Sequence, residues 1–140
     1  MTATPKAKAK PPRESDPRYP RHRLNRLLDP NSLELLTPED DSGMVAATGR
    51  IDGRPVVAFC SDPTIMGGAM GDEGCAVVVQ AYERALAENV PVIGLWHNGG
   101  ARLAEGVLSL HAVGRIFAAM TRASGRIPQI SIVLGPAAGG

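Results

Sequence analysis

The chain has 140 residues, 44% hydrophobic and 21% charged, which is the composition of one folded domain and excludes a wholly disordered chain. Its net charge of +1 conceals an asymmetry, because residues 1–26 carry +6 and the remainder carries −5. With 4% aromatic residues and no recognisable nucleic-acid module, this basic start favours a solvated tail over contact with a polyanion. For these reasons we expect no nucleic-acid partner. Every apolar run is shorter than the roughly 18 residues of a membrane span, so we expect no membrane partner either.

The two cysteines, Cys60 and Cys75, are too few for a disulfide framework or a four-ligand zinc site. We interpret both as small apolar core residues, and we expect no metal because His97 and His111 lack metal-ligand spacing. The N-terminus has no apolar stretch of the kind that secretory signals carry. These features predict a cytoplasmic protein.

Residues 1–21 are predicted to be a flexible basic leader, because their five prolines disfavour a helix. We expect residues 1–20 to add little apolar burial, so that their deletion from a longer chain would leave its function nearly intact. Residues 22–140 form the predicted folded part. They open with a short amphipathic helix, indicated by leucines at helical spacing and ended by Pro30.

A β-hairpin is the clearest local signal in the chain. Two β-rich runs, residues 44–51 and 54–61, are joined by Asp52-Gly53, a dipeptide typical of type I′ turns. Residues 32–36 indicate a brief strand before the hairpin.

Helices and apolar strands alternate after the hairpin. In chain order they are a helix at 73–90, a strand at 92–96, a helix at 105–124 and a strand at 129–135. Asp72 is placed to cap the first helix, and both strands are apolar enough to be buried on two faces. The inward stripe predicted for the second helix is Leu110, Val113, Phe117 and Met120. The alternation predicts an α/β domain with right-handed crossovers.

Two glycine turns follow the apolar strands, at residues 98–102 and 138–140. Ligands in open α/β sheets bind beyond the carboxyl ends of the strands, and glycine lets backbone N–H groups approach an oxyanion or phosphate. Two such turns could converge on one developing oxyanion, as acyl chemistry requires. Each turn taken alone is more often a plain tight turn, and neither matches a dinucleotide or P-loop motif. His97, which ends a strand beside the first turn, is a further candidate.

Four motifs in this order resemble the carboxyltransferase (β) subunits of biotin-dependent acyl-CoA carboxylases. They are GGAMG at 67–71, GGARLAEG at 99–106, SGRIPQIS at 124–131 and AGG at 138–140. The resemblance covers roughly residues 22 to 140. It implies a crotonase/ClpP-like spiral of ββα units, incomplete at the C-terminus because a helix would normally follow Gly140.

The same resemblance implies an activity and the residues that perform it. Such subunits transfer a carboxyl group from carboxybiotin, held by a partner carrier protein, to the α-carbon of acetyl-CoA or propionyl-CoA, a reaction used in fatty acid biosynthesis. Gly139 and Gly140 are the implied catalytic residues, as donors to the thioester enolate. The implied acyl-CoA cleft is lined by Gly67, Gly68, Gly71, Gly99, Gly100, Ala101 and Arg102. Implied partners are acyl-CoA, a biotin carboxylase with its biotin carboxyl carrier, and further copies of the complete subunit.

The chain also departs from the pattern of the resemblance. The usual His-x-x-Gly-Lys opening is replaced by Pro20–Arg23, which leaves Arg18, Arg21 or Arg23 to take the phosphate role of that lysine. The second crotonase-like half, which resembles the biotin-binding half, is absent, as is the zinc ribbon of one branch. We therefore expect an N-terminal fragment that is inactive alone.

Two other function classes remain open. A non-catalytic assembly module would use the same fold only to oligomerise. A crotonase-fold peptidase would need a Ser or Lys nucleophile near the last turn, where Ala137 and Ala138 stand.

Overall fold

The computed structural model describes residue 9 and residues 11–139. Within them lie three α-helices and five β-strands: α1 (Pro20–Leu27), β1 (Glu34–Leu35), β2 (Met44–Ile51), β3 (Arg54–Ser61), α2 (Asp72–Glu88), β4 (Val92–Asn98), α3 (Val107–Ala123) and β5 (Gln129–Ala137). Single 3-10 turns lie at Arg13–Ser15, Met66–Gly68 and Leu103–Glu105. No helix in this described part is long and apolar enough to cross a bilayer.

The five strands form one sheet in chain order, β1-β2-β3-β4-β5. Strands β1, β2 and β3 pair antiparallel, whereas β3, β4 and β5 pair parallel through the crossovers α2 and α3. The turn at Asp52-Gly53 has φ values of 50° and 76°, as a type I′ turn requires. The predicted hairpin and α/β class are therefore confirmed.

The core has two layers because side chains of a strand alternate between the faces of the sheet. Met44 and Ala46 of β2 face α2, while Val45 and Ala47 face α1. Leu24 of α1 is fully buried against that second face. The middle strands are thus covered on both sides, which positions the loops at their carboxyl ends.

The inward face of α3 differs from the predicted stripe. Leu110 is 65% exposed and Phe117 is 44% exposed, while Val113 and Met120 pack only partly against the core. The buried face is Ser109, Ala112, Ile116, Ala119 and Ala123. Small residues allow α3 to pack closely against α2. The alanines therefore form the helix–helix contact, and the larger side chains lie at its margin.

The prediction that strand β5 is buried on both faces is wrong for the described chain. Ile130, Val133 and Leu134 are 47%, 62% and 42% exposed. The reason is that β5 forms the edge of the sheet and, among the described elements, only β4 packs extensively against it, so no helix layer covers its faces.

The predicted leader is not separate from the fold at its C-terminal end. Tyr19 and Pro20 are buried, and the guanidinium of Arg13 pairs with the buried carboxylate of Asp62. Pro20 begins α1, where its fixed φ and missing N–H suit the first helical position. The expectation that residues 1–20 add almost no burial is therefore wrong for Tyr19 and Pro20, while most of residues 11–18 are exposed as expected. Residues 1–8 and 10 lie outside the described residues.

The burial pattern of α3 gives a stability prediction. Ile116→Ala should lower the free energy of unfolding by about 2–5 kcal/mol, because it leaves a cavity at a side chain that is only 2% exposed. Leu110→Ala on the same helix should change it by less than about 0.5 kcal/mol. Urea unfolding of both variants checks this, and equal losses would favour the stripe that contains Leu110.

Candidate functional site

Three turns meet at the carboxyl ends of β4 and β5. We name them the Met66 turn (residues 66–71), the Gly99 turn (residues 98–102) and the Gly139 turn (residues 137–139). The Met70 N–H donates to the Gly100 carbonyl at 2.7 Å, and the Arg102 N–H donates to the Met70 carbonyl at 2.8 Å. These two bonds join the Met66 turn to the Gly99 turn.

The Gly139 turn lies directly beside the Gly99 turn. The Ala138 N–H donates to the Asn98 carbonyl at 3.3 Å. A Cβ built on Gly139 would lie 3.9 Å from the Gly100 Cα atom. Gly100 and Gly139 have φ values of 92° and 78°, a region that favours glycine. The structure thus brings the two predicted glycine turns together, while Gly140 lies outside the described residues.

Three of the predicted site glycines have internal roles. The Gly100 N–H donates to the Asn98 side-chain oxygen at 3.0 Å, and the Gly68 N–H donates to the Ile65 carbonyl at 2.8 Å. A Cβ on Gly68 would collide with the His97 carbonyl oxygen, and one on Gly71 would collide with the Glu105 carboxylate. These glycines permit close packing, and the N–H groups of Gly68 and Gly100 are already bonded within the protein.

Other N–H groups of the same turns remain available. Within residues 11–139, the N–H groups of Gly99, Ala101 and Gly139 donate to no protein acceptor. Gly67, at φ 63°, has open space around its Cα atom. Unpaired amides gathered at one place are what binding of an oxyanion requires.

Arg102 does not present its guanidinium to the cleft. Its Nε atom donates to the Ala69 carbonyl at 3.0 Å, and one terminal nitrogen donates to the carbonyls of Asp41 and Ser42 at 3.1 and 3.0 Å. The side chain is only 13% exposed. Through these hydrogen bonds, the Arg102 side chain links the Met66 turn to the loop that contains Asp41 and Ser42.

Glu105 and Ser109 are site residues that sequence reasoning does not single out. The Glu105 carboxylate accepts the Asp72 N–H at 2.9 Å, and the Ser109 hydroxyl donates to the Met70 carbonyl at 3.2 Å. The prediction that Asp72 caps α2 is wrong. Gly71 occupies the N-cap position, and glycine has no side chain that could accept a hydrogen bond from the first turn of the helix. The glutamate within the GGARLAEG motif was the available signal. Its negative charge suits a helix N-terminus.

His97 lies on the α1 side of the sheet, where its Nδ1 atom is 3.1 Å from the Arg23 guanidinium. Burial, with the positive charges of Arg23 and Arg18, lowers the pKa of His97 below its ordinary value of 6.5. The neutral imidazole is favoured, and its Nδ1 atom accepts from Arg23. His111 is exposed on α3.

The arginines near α1 divide into paired and unpaired groups. Arg18 pairs with Asp16, and this bond lowers the pKa of the partly exposed Asp16 carboxyl to about 2. Arg21 lies 3.7 Å from Glu39. Arg23 and Arg26 have no carboxylate within 4.0 Å in the described part of the chain, and with Arg18 they line a groove of about 490 Å³.

An apolar cavity of about 260 Å³ lies under the Gly139 turn. Trp96, Phe117 and Val133 contribute to its walls. The Trp96 indole N–H donates to the Ser131 hydroxyl at 3.1 Å, which leaves Ser131 engaged in a structural contact.

Neither the cysteine thiols nor a metal-binding cluster adds a reactive group to these turns within the described residues. Burial raises the pKa of the Cys60 thiol to about 12 and that of Cys75 to about 11, so both stay protonated and unreactive. In residue 9 and residues 11–139, no group of three or more His, Cys, Asp or Glu could hold a metal ion.

Comparison with known proteins decides the family. The carboxyl transferase domain model matches residues 21–140. The chain belongs to this family. Over 125 residues it is 58% identical to the biotin-dependent acetyl-/propionyl-coenzyme A carboxylase beta6 subunit of Mycobacterium tuberculosis, covering 89% of this chain and 26% of the relative. It is 59% identical over 126 residues to the propionyl-CoA carboxylase beta chain of Rhodococcus erythropolis, covering 90% and 26%.

Solved structures confirm the predicted crotonase-like fold of this carboxyl transferase domain. The transcarboxylase 12S structure with bound methylmalonyl-coenzyme A and methylmalonic acid superposes with a TM-score of 0.81 at 38% identity, over 86% of this chain and 26% of that one. A Pseudomonas malonate decarboxylase hetero-dimer gives a TM-score of 0.75 at 31% identity, over 83% and 52%. The chain spans about a quarter of the length of the curated relatives, 26% in each.

The contact between Arg23 and His97 gives a titration prediction. Because the folded chain disfavours the charged imidazole, this group's contribution to stability is present above pH 6.5 and is lost as the pH falls below it. Arg23→Leu removes a nearby positive charge and should raise the pKa of His97. NMR titration of the ring protons measures this, with Arg84→Leu on α2 as a distant control. An unchanged or lower pKa in Arg23→Leu would contradict the assigned contact.

Proposed function

We propose that the chain is the acyl-CoA-binding part of a biotin-dependent acyl-CoA carboxyltransferase subunit that acts on acetyl-CoA or propionyl-CoA. The observation that carries this is the cluster of unpaired N–H groups where the Gly99 and Gly139 turns meet. The names of the relatives support the substrate class, since they include acetyl-/propionyl-coenzyme A carboxylase subunits.

The role of the turns follows from the charge that the reaction develops. Loss of a proton from the α-carbon of a thioester would turn its carbonyl oxygen into an enolate oxygen, and the ureido nitrogen of biotin, freed of its carboxyl group, would accept that proton. The enolate oxygen binds N–H donors more strongly than the neutral carbonyl does. We assign the Gly139 N–H to that oxygen, together with the N–H of Gly140. These donors are part of the backbone and need no proton transfer of their own.

The other predicted residues divide by their geometry. Gly67, Gly99 and Ala101 have the open N–H groups or open space expected of contacts to the acyl-CoA. Gly68, Gly71, Gly100 and Arg102 shape the cleft through internal contacts. The groove lined by Arg23 and Arg26 suits the phosphates of coenzyme A, because both guanidinium groups lack a carboxylate partner in the described chain.

The group to be transferred comes from another protein in this proposal. Carboxybiotin on a biotin carboxyl carrier, loaded by a biotin carboxylase, supplies the carboxyl group. We assign no biotin contact to residues 11–139, whose turns offer only the acyl-CoA side of the reaction. Further copies of the complete subunit are proposed partners, supported by the hexamer assembly named for the transcarboxylase 12S structure.

Gly139→Val tests the oxyanion assignment in a complete subunit that carries this sequence. A side chain at φ 78° rotates or blocks the N–H donor, so kcat should fall on the order of 10²–10³-fold. Gly125→Val is the matched control, because Gly125 has φ 76° and no neighbour within 4 Å of a built Cβ. Both variants must keep the melting profile and oligomer size of the parent. A Gly139→Val subunit with normal turnover would show that this glycine forms only a tight turn.

The 140-residue chain alone should not carboxylate an acyl-CoA. It spans 26% of each of these relatives, and the resemblance assigns the biotin side to a part of the complete subunit outside the matched residues. The assay is incorporation of labelled bicarbonate with biotin carboxylase, biotinylated carrier, ATP and acetyl-CoA or propionyl-CoA. Turnover close to that of a complete subunit would contradict the proposal.

A further inference from the structure

A buried carboxylate stands at the start of the loop that leads to the Met66 turn. Asp62 has no exposed surface, and its two carboxylate oxygens have different partners. Oδ1 accepts the Thr64 N–H at 2.9 Å and also the Thr64 hydroxyl. Oδ2 accepts the Arg13 Nε–H at 2.6 Å and a second N–H from the same guanidinium. Arg13 therefore supplies the positive charge that neutralises this buried carboxylate.

Arg13 reaches this carboxylate from 49 residues away in sequence. Its guanidinium also lies over the Tyr19 ring, 5.6 Å from the centroid, and donates to the Asp40 carbonyl at 3.4 Å. The Tyr19 hydroxyl in turn donates a hydrogen bond to the Glu39 carboxylate at 2.6 Å. The segment before α1 is thus held on the loop at residues 39–42 as well as on Asp62.

A short series of hydrogen bonds connects Asp62 to the ligand-facing turns. The Ile65 N–H donates to the Asp62 carbonyl at 3.2 Å, and the Gly68 N–H donates to the Ile65 carbonyl at 2.8 Å. Two residues later, Met70 bonds to Gly100 of the Gly99 turn at 2.7 Å. Because a carboxylate left buried and unpaired is strongly unfavourable, loss of Arg13 would leave Asp62 either protonated or displaced toward water, and we expect either change to loosen the start of this series.

Arg102 holds the same two loops from the other end. It donates to the Asp41 and Ser42 carbonyls and to the Ala69 carbonyl, while Arg13 donates to the Asp40 carbonyl and to Asp62. Each arginine therefore links the loop at 39–42 to the loop at 62–71.

We propose that Arg13 is a positioning residue for the acyl-CoA cleft, which it acts on by fixing Asp62 and, through it, the Met66 turn. This inference rests on the proposed function for its kinetic consequence, but its structural part stands independently. It makes part of the predicted leader necessary to the site, although the family match begins only at residue 21.

The test compares Arg13→Ala, Arg13→Lys and the control Arg84→Ala in a complete subunit that carries this sequence. Arg84 is a suitable control because its ion pair with Glu88 lies on the exposed surface of α2. Hydrogen–deuterium exchange is read on peptides covering residues 62–71 and, for comparison, residues 75–88. KM for propionyl-CoA and kcat are measured on the same samples.

In Arg13→Ala, exchange at 62–71 should accelerate on the order of tenfold while exchange at 75–88 stays unchanged. KM should rise about tenfold with a smaller change in kcat, since misplacement of a binding turn weakens substrate positioning. Arg13→Lys keeps the charge with fewer donors, so it should recover part of both effects. If Arg13→Ala does not fold, the intermediate values of Arg13→Lys carry the test.

Parental exchange at 62–71 in Arg13→Ala, or in Arg13→Lys where the alanine variant does not fold, would overturn the proposal. Accelerated exchange with unchanged KM would retain the clamp and overturn its role in the cleft. A parent subunit without any carboxyltransferase activity would instead contradict the proposed function, and the exchange rates at 62–71 would still decide whether Arg13 fixes the Met66 turn.

Discussion

The paired backbone hydrogen bonds between Met70 and the Gly99 turn are the contact on which the site depends. They connect the residues just before α2 to the end of β4, two segments that otherwise belong to different layers of the domain. Every other feature of the cleft either supports this contact or uses the space beside it. Ser109 donates to the same Met70 carbonyl from α3, and Glu105 receives the first N–H of α2 beside it. The Gly139 turn then completes the arrangement through Ala138 and Asn98.

Glycine serves two different purposes in this arrangement, and the space available to a Cβ separates them. Gly68 and Gly71 are required because a Cβ would strike the His97 carbonyl or the Glu105 carboxylate. Gly99 and Gly139 have room for a Cβ only at ordinary contact distances of 3.7 and 3.9 Å, but their N–H groups have no acceptor within residues 11–139. The first kind brings the backbone segments together, and the second kind carries the N–H groups that the proposed function assigns to a ligand. A motif written as a string of glycines does not distinguish them.

Local patterns in the sequence predict the elements but not the contacts that join them. The type I′ turn at Asp52-Gly53 and the helix–strand alternation follow from short-range preferences, so both are predictable. The buried face of α3 cannot be predicted in this way, because small residues such as Ala112 and Ala119 are buried through the close approach of α2. The Glu105 cap lies 33 residues from Asp72, and the Arg13 pair lies 49 residues from Asp62. No periodicity or spacing rule encodes partners that far apart.

A site that works through backbone N–H groups places unusual demands on residues outside it. A side-chain catalyst can adjust by rotating its own bonds, whereas an amide donor moves only if the main chain moves. The accuracy of such donors therefore depends on whatever fixes the loops, and here two arginines bind main-chain carbonyls of the loop at 39–42 from separate directions. Under the proposed function, neither Arg13 nor Arg102 needs to touch a substrate to affect how the substrate is held. For this fold, the search for residues that determine activity has to extend to the buried ion pairs behind the glycine turns.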